Sequence, residues 1–156
     1  MIKIIQYCYF KLDEITMMNS GKKRVLFLCT HNSSRSQMAE AFLRDLRGDY
    51  FEAFSAGTEP TGIHPYTIKV MEETGIDMTG HASKGVEAFL GQSLDYVATV
   101  CDYANESCPF FPEGTIHLHK SFRDPAAMEG SDEEVINGFR QVRDEIRSWI
   151  ESEFTN

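Results

Sequence analysis

A short apolar run at residues 25–28 leads directly into a polar segment and then into a helical pattern. Continuous apolar runs of this length are typical of parallel strands that are buried on both faces of a sheet. Similar runs at 51–54, 96–100 and 115–118 predict three more strands, and helical patterns lie between the strands. Because strands that alternate with helices fold into layered domains, we predict a single three-layer α/β domain. Its sheet is expected to be four-stranded and mainly parallel, with helices on both faces.

Three stretches place apolar residues on one face of a helix. They contain, in chain order, Met38 with Phe42, Ile68 with Met71, and the repeat from Val135 to Trp149. Acidic residues 132–134 precede the longest repeat, where the positive end of a helix favours negative charge. In a parallel sheet the loops at the carboxyl ends of the strands carry the reactive groups, so we look for chemistry directly after each predicted strand.

The composition limits the classes of partner. The chain has 156 residues, with 24 acidic against 15 basic side chains and a net charge of -9. An acidic balance without a basic run disfavours nucleic acid or an anionic membrane as the main partner, and no apolar stretch has the ~20 residues of a membrane helix. We expect residues 1–20 to be a loose N-terminal extension without a targeting signal, and residues 21–156 to form one monomeric, cytoplasmic domain.

The most informative segment is a C-x5-R loop between the first predicted strand and a helix. It consists of Cys29, Thr30, His31, Asn32, Ser33, Ser34, Arg35 and Ser36. Successive backbone N–H groups at a helix N-terminus form a cradle for a tetrahedral anion, and Arg35 adds a two-pronged donor. The same positive field stabilises a thiolate at Cys29. The alternative, a buried thiol beside a solvated arginine, is disfavoured by the strand–loop–helix context.

A second segment, residues 101–108, follows the third predicted strand and carries Cys101 and Cys108. A helix would separate their Cα atoms by roughly 10 Å, whereas a disulfide needs less than about 7 Å. A bond between them therefore requires the segment to loop or unwind. Two alternatives stay open: a zinc site that adds His117 and His119, and two purely structural cysteines.

The third segment contains Asp124 and Pro125 after the last predicted strand. Asp-Pro alone is a common turn. If the three loops meet at one edge of the sheet, however, Asp124 can protonate a leaving oxygen at the anion site as a general acid.

These residues resemble the thioredoxin-coupled arsenate reductases, which share the fold of the low-molecular-weight protein tyrosine phosphatases. The resemblance extends over about residues 24–150 and includes the three loops and the short motifs at 55–57, 64–65 and 75–77. Phosphatases of this fold usually have proline after the Arg-Ser pair and tyrosine after Asp-Pro. This chain has Gln37 and Ala126 there, and it has two further cysteines that a phosphatase does not require.

The resemblance implies a role for each site residue. Cys29 would attack arsenate that is held by the loop amides and Arg35, while Asp124 assists the loss of oxygen. Cys101 would then attack the arsenic-bound sulfur and release arsenite, leaving a disulfide between Cys29 and Cys101. Cys108 would resolve that disulfide, and thioredoxin would reduce the resulting bond between Cys101 and Cys108.

Two other functions remain as alternatives: a low-molecular-weight phosphatase, and a non-catalytic metal or metalloid sensor. The resemblance also bears on metals, because some members hold potassium beside the anion loop with an acidic ligand. Ungapped alignment retains Asn32, Glu40 and Ser55 near that position but gives Lys84 in place of the acidic ligand. An ammonium group cannot bind potassium. We therefore expect no metal and no other cofactor, with Lys84 either beside Glu40 or in solvent.

Overall fold

The structure is a computed structural model that describes residues 21–108, 111 and 115–156. The predicted loose extension at residues 1–20 lies outside the described residues. The regular elements, in chain order, are β1 (Lys23–Cys29), α1 (Arg35–Arg47), β2 (Phe51–Gly57), α2 (Pro65–Glu72), a 3-10 helix (Val86–Phe89), β3 (Tyr96–Thr99), α3 (Asp102–Glu106), β4 (Ile116–His119), a second 3-10 helix (Pro125–Ala127) and α4 (Asp132–Glu153).

The four strands form one parallel sheet in the order β2-β1-β3-β4. The central strand β1 is fully buried from Val25 to Leu28, with Cys29 only 2% exposed, as its continuous apolar run predicts. The edge strand β4 is different, since Ile116 is 50% exposed. The predicted single α/β domain with a parallel four-stranded sheet is confirmed.

Helical elements cover both faces of the sheet, as predicted. On one face, Phe27 of β1 packs edge-on against Trp149 and Phe154, with ring centroids 6.1 and 5.7 Å apart. On the opposite face, Phe54 of β2 contacts Phe89 of the first 3-10 helix at 5.6 Å. Successive side chains of a strand point to opposite faces of the sheet. Phe51 contacts Phe154 on the first face, and Phe54, three residues later, therefore points to the other face.

The observed ends of the elements differ from the predicted ones by a few residues. Strand β2 continues to Gly57 rather than ending at Phe54, because it pairs with β1 as far as Cys29. Helix α2 begins at Pro65, a favoured first position, and ends at Glu72 before Gly75, whose φ is +82°. Helix α4 begins after Ser131 with a capping box that includes Glu134.

Within the described part of the chain, no helix combines the length and the apolar character that crossing a membrane requires.

Candidate active site

The three predicted loops meet at the carboxyl edge of the sheet. The loop after β1 contacts the segment after β3, because Thr30 Oγ1 and Cys101 Sγ lie 3.4 Å apart. It also meets the loop after β4, since an Arg35 Nη2 atom lies 3.6 Å from Asp124 Oδ2. The fold therefore brings the three sequence-predicted segments into one site.

Cys29 lies at the base of this site and is almost fully buried. Its Sγ atom accepts a hydrogen bond from the backbone N–H of Asn32 at 3.2 Å and lies 2.8 Å from Ser36 Oγ. Both groups can donate to a thiolate, which would gain charge-assisted hydrogen bonds in a site closed to bulk water. The Cys29 sulfur is thus surrounded by donors that can stabilise a thiolate.

Asn32 holds the shape of the loop. It is the one residue other than glycine with a positive φ among the described residues, at 49°. Its side chain donates to Ser36 Oγ at 2.8 Å and accepts from the Lys84 backbone N–H at 2.8 Å and from Gln37 Nε2 at 2.9 Å. Gly57 permits this packing, since a Cβ atom there would lie 2.9 Å from the Asn32 nitrogen.

Arg35 is anchored from one side. Its side chain is only 10% exposed and donates to the Phe122 carbonyl oxygen at 3.2 Å. Asp124, at 32% exposure, pairs with the same guanidinium and also caps the second 3-10 helix through Ala126 N–H at 3.0 Å. The carboxyl group is accordingly fixed at the mouth of the anion loop.

Cys101 and Cys108 flank helix α3, and both are thiols, like Cys29. Cys101 is 4% exposed, and its Sγ atom accepts from the Ala104 N–H at 3.4 Å, which caps the helix. Cys108 is half-buried, and burial raises the pKa of its thiol above the ordinary value. An intervening helix agrees with the predicted requirement that the segment unwind before these two sulfurs can join.

Glu40 is a buried carboxylate beside the loop, and it has three polar partners. Ser55 Oγ donates to it at 2.8 Å, Arg44 pairs with it at 3.0 Å, and His81 Nδ1 lies 3.4 Å away. Burial opposes ionisation, but the His81 contact, the Lys84 charge and the Ser55 hydroxyl outweigh it and hold the Glu40 pKa below its ordinary value.

Lys84 itself donates its ammonium group to the Ala82 carbonyl oxygen at 2.7 Å. The Lys84 side chain is neither paired directly with Glu40 nor fully in solvent, so its observed position lies between the two predicted ones. Arg44 is a cation in direct contact with Glu40, and the sequence does not single it out because an i, i+4 Glu-Arg pair is typical of any exposed helix surface.

Two histidines near the site also have no predicted catalytic role. His64 caps α2, with its Nδ1 accepting from the Tyr66 N–H at 3.0 Å, and its ring lies 4.7 Å from that of Phe139. Burial lowers the pKa of His64, while the Asp124 charge opposes that shift. His119 was considered only as a zinc ligand. Instead, it contacts Thr99 and Asp102 at 2.8 and 3.1 Å. The His-Pro pair at a helix start was the available signal for His64.

In the described ranges, no group of three or more His, Cys, Asp or Glu side chains is arranged to hold a metal ion. The alternative zinc site at Cys101, Cys108, His117 and His119 is therefore not formed in this part of the chain.

A C-x5-R anion loop between a parallel strand and a helix, with an aspartate at its mouth, defines a class of protein. The chain belongs to the family described as low molecular weight phosphotyrosine protein phosphatase, whose model matches residues 24–154. The resemblance predicted from the motifs is thereby confirmed at the level of fold and family.

Within this family, several of the similar proteins are arsenate reductases. The arsenate reductase of Halalkalibacterium halodurans is 44% identical over 132 residues, which cover 85% of this chain and 95% of that protein. A solved structure described as an arsenate reductase in oxidized state is 32% identical with a TM-score of 0.71, covering 83% of this chain and 94% of that one. The thioredoxin-dependent arsenate reductase of Corynebacterium glutamicum is 26% identical with a TM-score of 0.62, covering 93% and 73%.

Proposed function

We propose that this chain reduces arsenate to arsenite by a relay of three cysteines that thioredoxin regenerates. The observation that carries the proposal is the contact of 3.4 Å between Cys101 Sγ and Thr30 Oγ1. It means that a second buried cysteine touches the loop that holds the first. A phosphatase needs only Cys29, Arg35 and Asp124, whereas a thiol relay needs a second sulfur at this position.

Arsenate is the proposed substrate because the loop recognises a tetrahedral oxyanion. Backbone N–H groups at the start of a helix bind such an anion, and the guanidinium of Arg35 would supply charge-assisted donors. The segment proposed to bind substrate comprises Thr30, His31, Asn32, Ser33, Ser34, Arg35 and Ser36. Asp124 would give a proton to the oxygen that leaves.

The proposed chemistry moves two electrons from sulfur to arsenic. The Cys29 thiolate attacks arsenic, an S–As bond forms, and one oxygen leaves as water with a proton from Asp124. The Cys101 thiolate then attacks the Cys29 sulfur, an S–S bond forms, and the S–As electron pair stays on arsenic, which leaves as arsenite. Cys108 next attacks the Cys101 sulfur and releases Cys29 as a thiolate.

Thioredoxin is the proposed reductant of the disulfide between Cys101 and Cys108. Its two thiols would supply the two electrons and become a disulfide in turn. Support comes from the C. glutamicum relative, which is thioredoxin-dependent, and from the exposure of the intervening segment, where Tyr103 is 50% exposed. Such a relay requires a reducing compartment, which agrees with a cytoplasmic protein. No metal or organic cofactor enters the proposed steps.

The order of the relay is tested by stopping it halfway. Cys108→Ser should release about one arsenite per chain and then stop as a Cys29–Cys101 disulfide, detected by single-turnover arsenite assay and by mass mapping. Cys29→Ser should release none, because a serine hydroxyl at this position is not ionised. Cys8→Ser is the matched control, since Cys8 belongs to the N-terminal residues 1–20 and is not assigned to the proposed relay, and it should keep multiple turnovers. Absence of arsenite from folded Cys108→Ser would contradict the proposal.

A further inference from the structure

The imidazole of His119, the last residue of β4, joins that strand to both halves of helix α3. Its Nε2 atom lies 3.1 Å from Asp102 Oδ1 in the first turn of α3, and its Nδ1 atom lies 2.8 Å from Thr99 Oγ1. Thr99 Oγ1 in turn donates to Asn105 Oδ1 at 3.2 Å. These four residues, His119, Thr99, Asp102 and Asn105, form what we call the His119 network.

The donors and acceptors of the His119 network are mutually consistent. The Asp102 carboxylate only accepts, so His119 Nε2 carries a proton. The Thr99 hydroxyl has a single proton, which a neutral His119 shares with Asn105. When the imidazole is protonated on both nitrogens, Nδ1–H donates to Thr99, whose proton is then available to Asn105. In either state of His119, the network ties the end of the sheet to α3.

The network lies beside both cysteines that α3 separates. Asp102 directly follows Cys101, and Thr99 is 3% exposed at the end of β3. Cys108, Asn105 and His119 line the same cavity of about 260 Å³. A bond between Cys101 and Cys108 requires the segment between them to rearrange, because their helical spacing exceeds disulfide length, and Asp102 and Asn105, which the network holds, lie in that segment.

We propose that His119 is a positioning residue that stabilises α3 in the dithiol form and thereby makes the Cys101–Cys108 couple more oxidising. This inference rests on the proposed function only in assigning these two cysteines to the relay. A contact that exists in the dithiol form and is lost in the disulfide form raises the reduction potential of the pair. The network would thus favour reduction of the disulfide by thioredoxin and retard its formation until arsenite has left.

The reduction potential of the Cys101–Cys108 pair is measured by equilibration with glutathione. Two thiols of the protein lose two protons and two electrons to form one S–S bond, and one glutathione disulfide takes them up to become two glutathione molecules. The full chain with Cys29→Ser removes the competing Cys29–Cys101 bond. The oxidised fraction is then followed by alkylation and mass spectrometry across glutathione ratios, and it requires neither arsenate nor thioredoxin.

In this background, His119→Ala should raise the equilibrium constant for disulfide formation three- to tenfold, which lowers the potential by about 15 to 30 mV. Thr99→Val, which removes the hydroxyl and keeps the shape, should shift it in the same direction. The double variant should shift it no further than the larger single effect, since both act through one network. His117→Ala is the matched control, because it removes an imidazole from the wall of the same cavity but removes no member of the network, and it should leave the constant within twofold.

His119→Gln tests the role of His119 without loss of packing, because its amide can still donate to Asp102. The reduction potential of this variant should lie between those of the parent and of His119→Ala. Each variant is first checked by its thermal melting curve. If His119→Ala fails to fold, Thr99→Val and His119→Gln supply the same measurement. An unchanged potential in folded variants overturns the inference, even where arsenate turnover proceeds normally. A shifted potential in a chain that does not reduce arsenate supports the network and contradicts the proposed function.

Discussion

Asn32 shows how much of the site depends on a single side chain. A left-handed backbone conformation is accessible to asparagine at lower cost than to other side chains, because its amide forms local hydrogen bonds. Here the φ is 49°, and the amide joins the start of α1 to the Lys84 backbone. The orientation of the N–H group that faces Cys29 therefore depends on this residue.

We expect Asn32→Ala to lower the free energy of unfolding by about 3 kcal/mol, since buried partners lose hydrogen bonds and alanine resists a positive φ. Asn32→Gly should lower it by about 1 kcal/mol less, because glycine tolerates the conformation. Both should weaken phosphate binding. Denaturant titration and calorimetry measure the two effects. Asn137→Ala, at an exposed position of α4, is the control and should stay within about 0.5 kcal/mol.

Lys84 leads to a prediction about potassium. Its ammonium group bonds to Ala82 and its charge stabilises the ionised Glu40, where related reductases can place an acidic ligand. Replacing potassium by sodium at constant ionic strength should therefore leave the melting temperature and arsenate turnover unchanged. Lys84→Asp is expected to create a potassium-specific rise in melting temperature, and Lys84→Met is the control that removes the charge without adding a ligand. A potassium-specific rise in the unmodified chain would show this prediction to be wrong.

Local patterns identify Cys29, Arg35 and Asp124 because a motif and its strand-end position determine their chemistry. By contrast, the contacts of His119 and Arg44 depend on the register of β3 with β4 and on the packing of α1. The His119 contacts join residues of different elements, and the spacing of Glu40 and Arg44 does not by itself reveal that Glu40 is buried. The sequence therefore indicates the candidate reactive groups and the loop residue Asn32, but not contacts of this second kind.

At the scale of elements, one carboxylate connects α2 to α4. Glu73 follows the last residue of α2, and it pairs with Arg140 at 2.7 Å and with Arg143 at 3.0 Å. The hydrogen bond from Arg140 is the main reason that its pKa falls from 4.5 to about 2. These contacts hold α2 against the long C-terminal helix α4. The first turn of α2 in turn supports the anion loop, because the Thr67 hydroxyl donates to the Ser33 carbonyl oxygen.

Glu73→Gln should lower the free energy of unfolding at pH 7 by about 1 kcal/mol, a value reduced from the full pKa shift because the side chain is 33% exposed. A depressed pKa stabilises the fold above the unfolded value, and that contribution is lost as the pH falls. The difference between variant and parent should therefore shrink from about pH 4.5 toward pH 2. Urea titrations at several pH values test this, with the exposed neighbour Glu72→Gln as control.

Element types follow from the sequence more closely than element ends do. The buried run of β1 and the repeat of α4 predict their structures directly, because one period dominates each. Strand β2 extends beyond its apolar run, since Ser55 points toward Glu40 at 2.8 Å, and polar burial of this kind has no signature in hydrophobicity. Helix α3, between two cysteines, is only five residues long and has no apolar repeat that would predict it.

At the scale of the whole molecule, the proposed site divides into an anion-binding part and a redox part. Cys29, Arg35 and Asp124 come from the loops after β1 and β4, whereas Cys101 and Cys108 lie on either side of α3, after β3. One contact between the two parts is that of Thr30 with Cys101. Chemistry that needs only an anion and a nucleophile should consequently survive the loss of the redox part.

Slow hydrolysis of small aryl phosphates is the expected result, because phosphate and arsenate are both tetrahedral oxyanions and the chain belongs to the phosphatase family. Cys29→Ser should abolish hydrolysis, and Asp124→Asn should slow it by about 100-fold through loss of the general acid. Cys101→Ser and Cys108→Ser should retain it within twofold, since serine at position 101 can keep the contact with Thr30. The measurement is release of para-nitrophenol alongside arsenate turnover for each variant. If folded Cys101→Ser lost hydrolysis as well as arsenate reduction, the two parts of the site would not be separable.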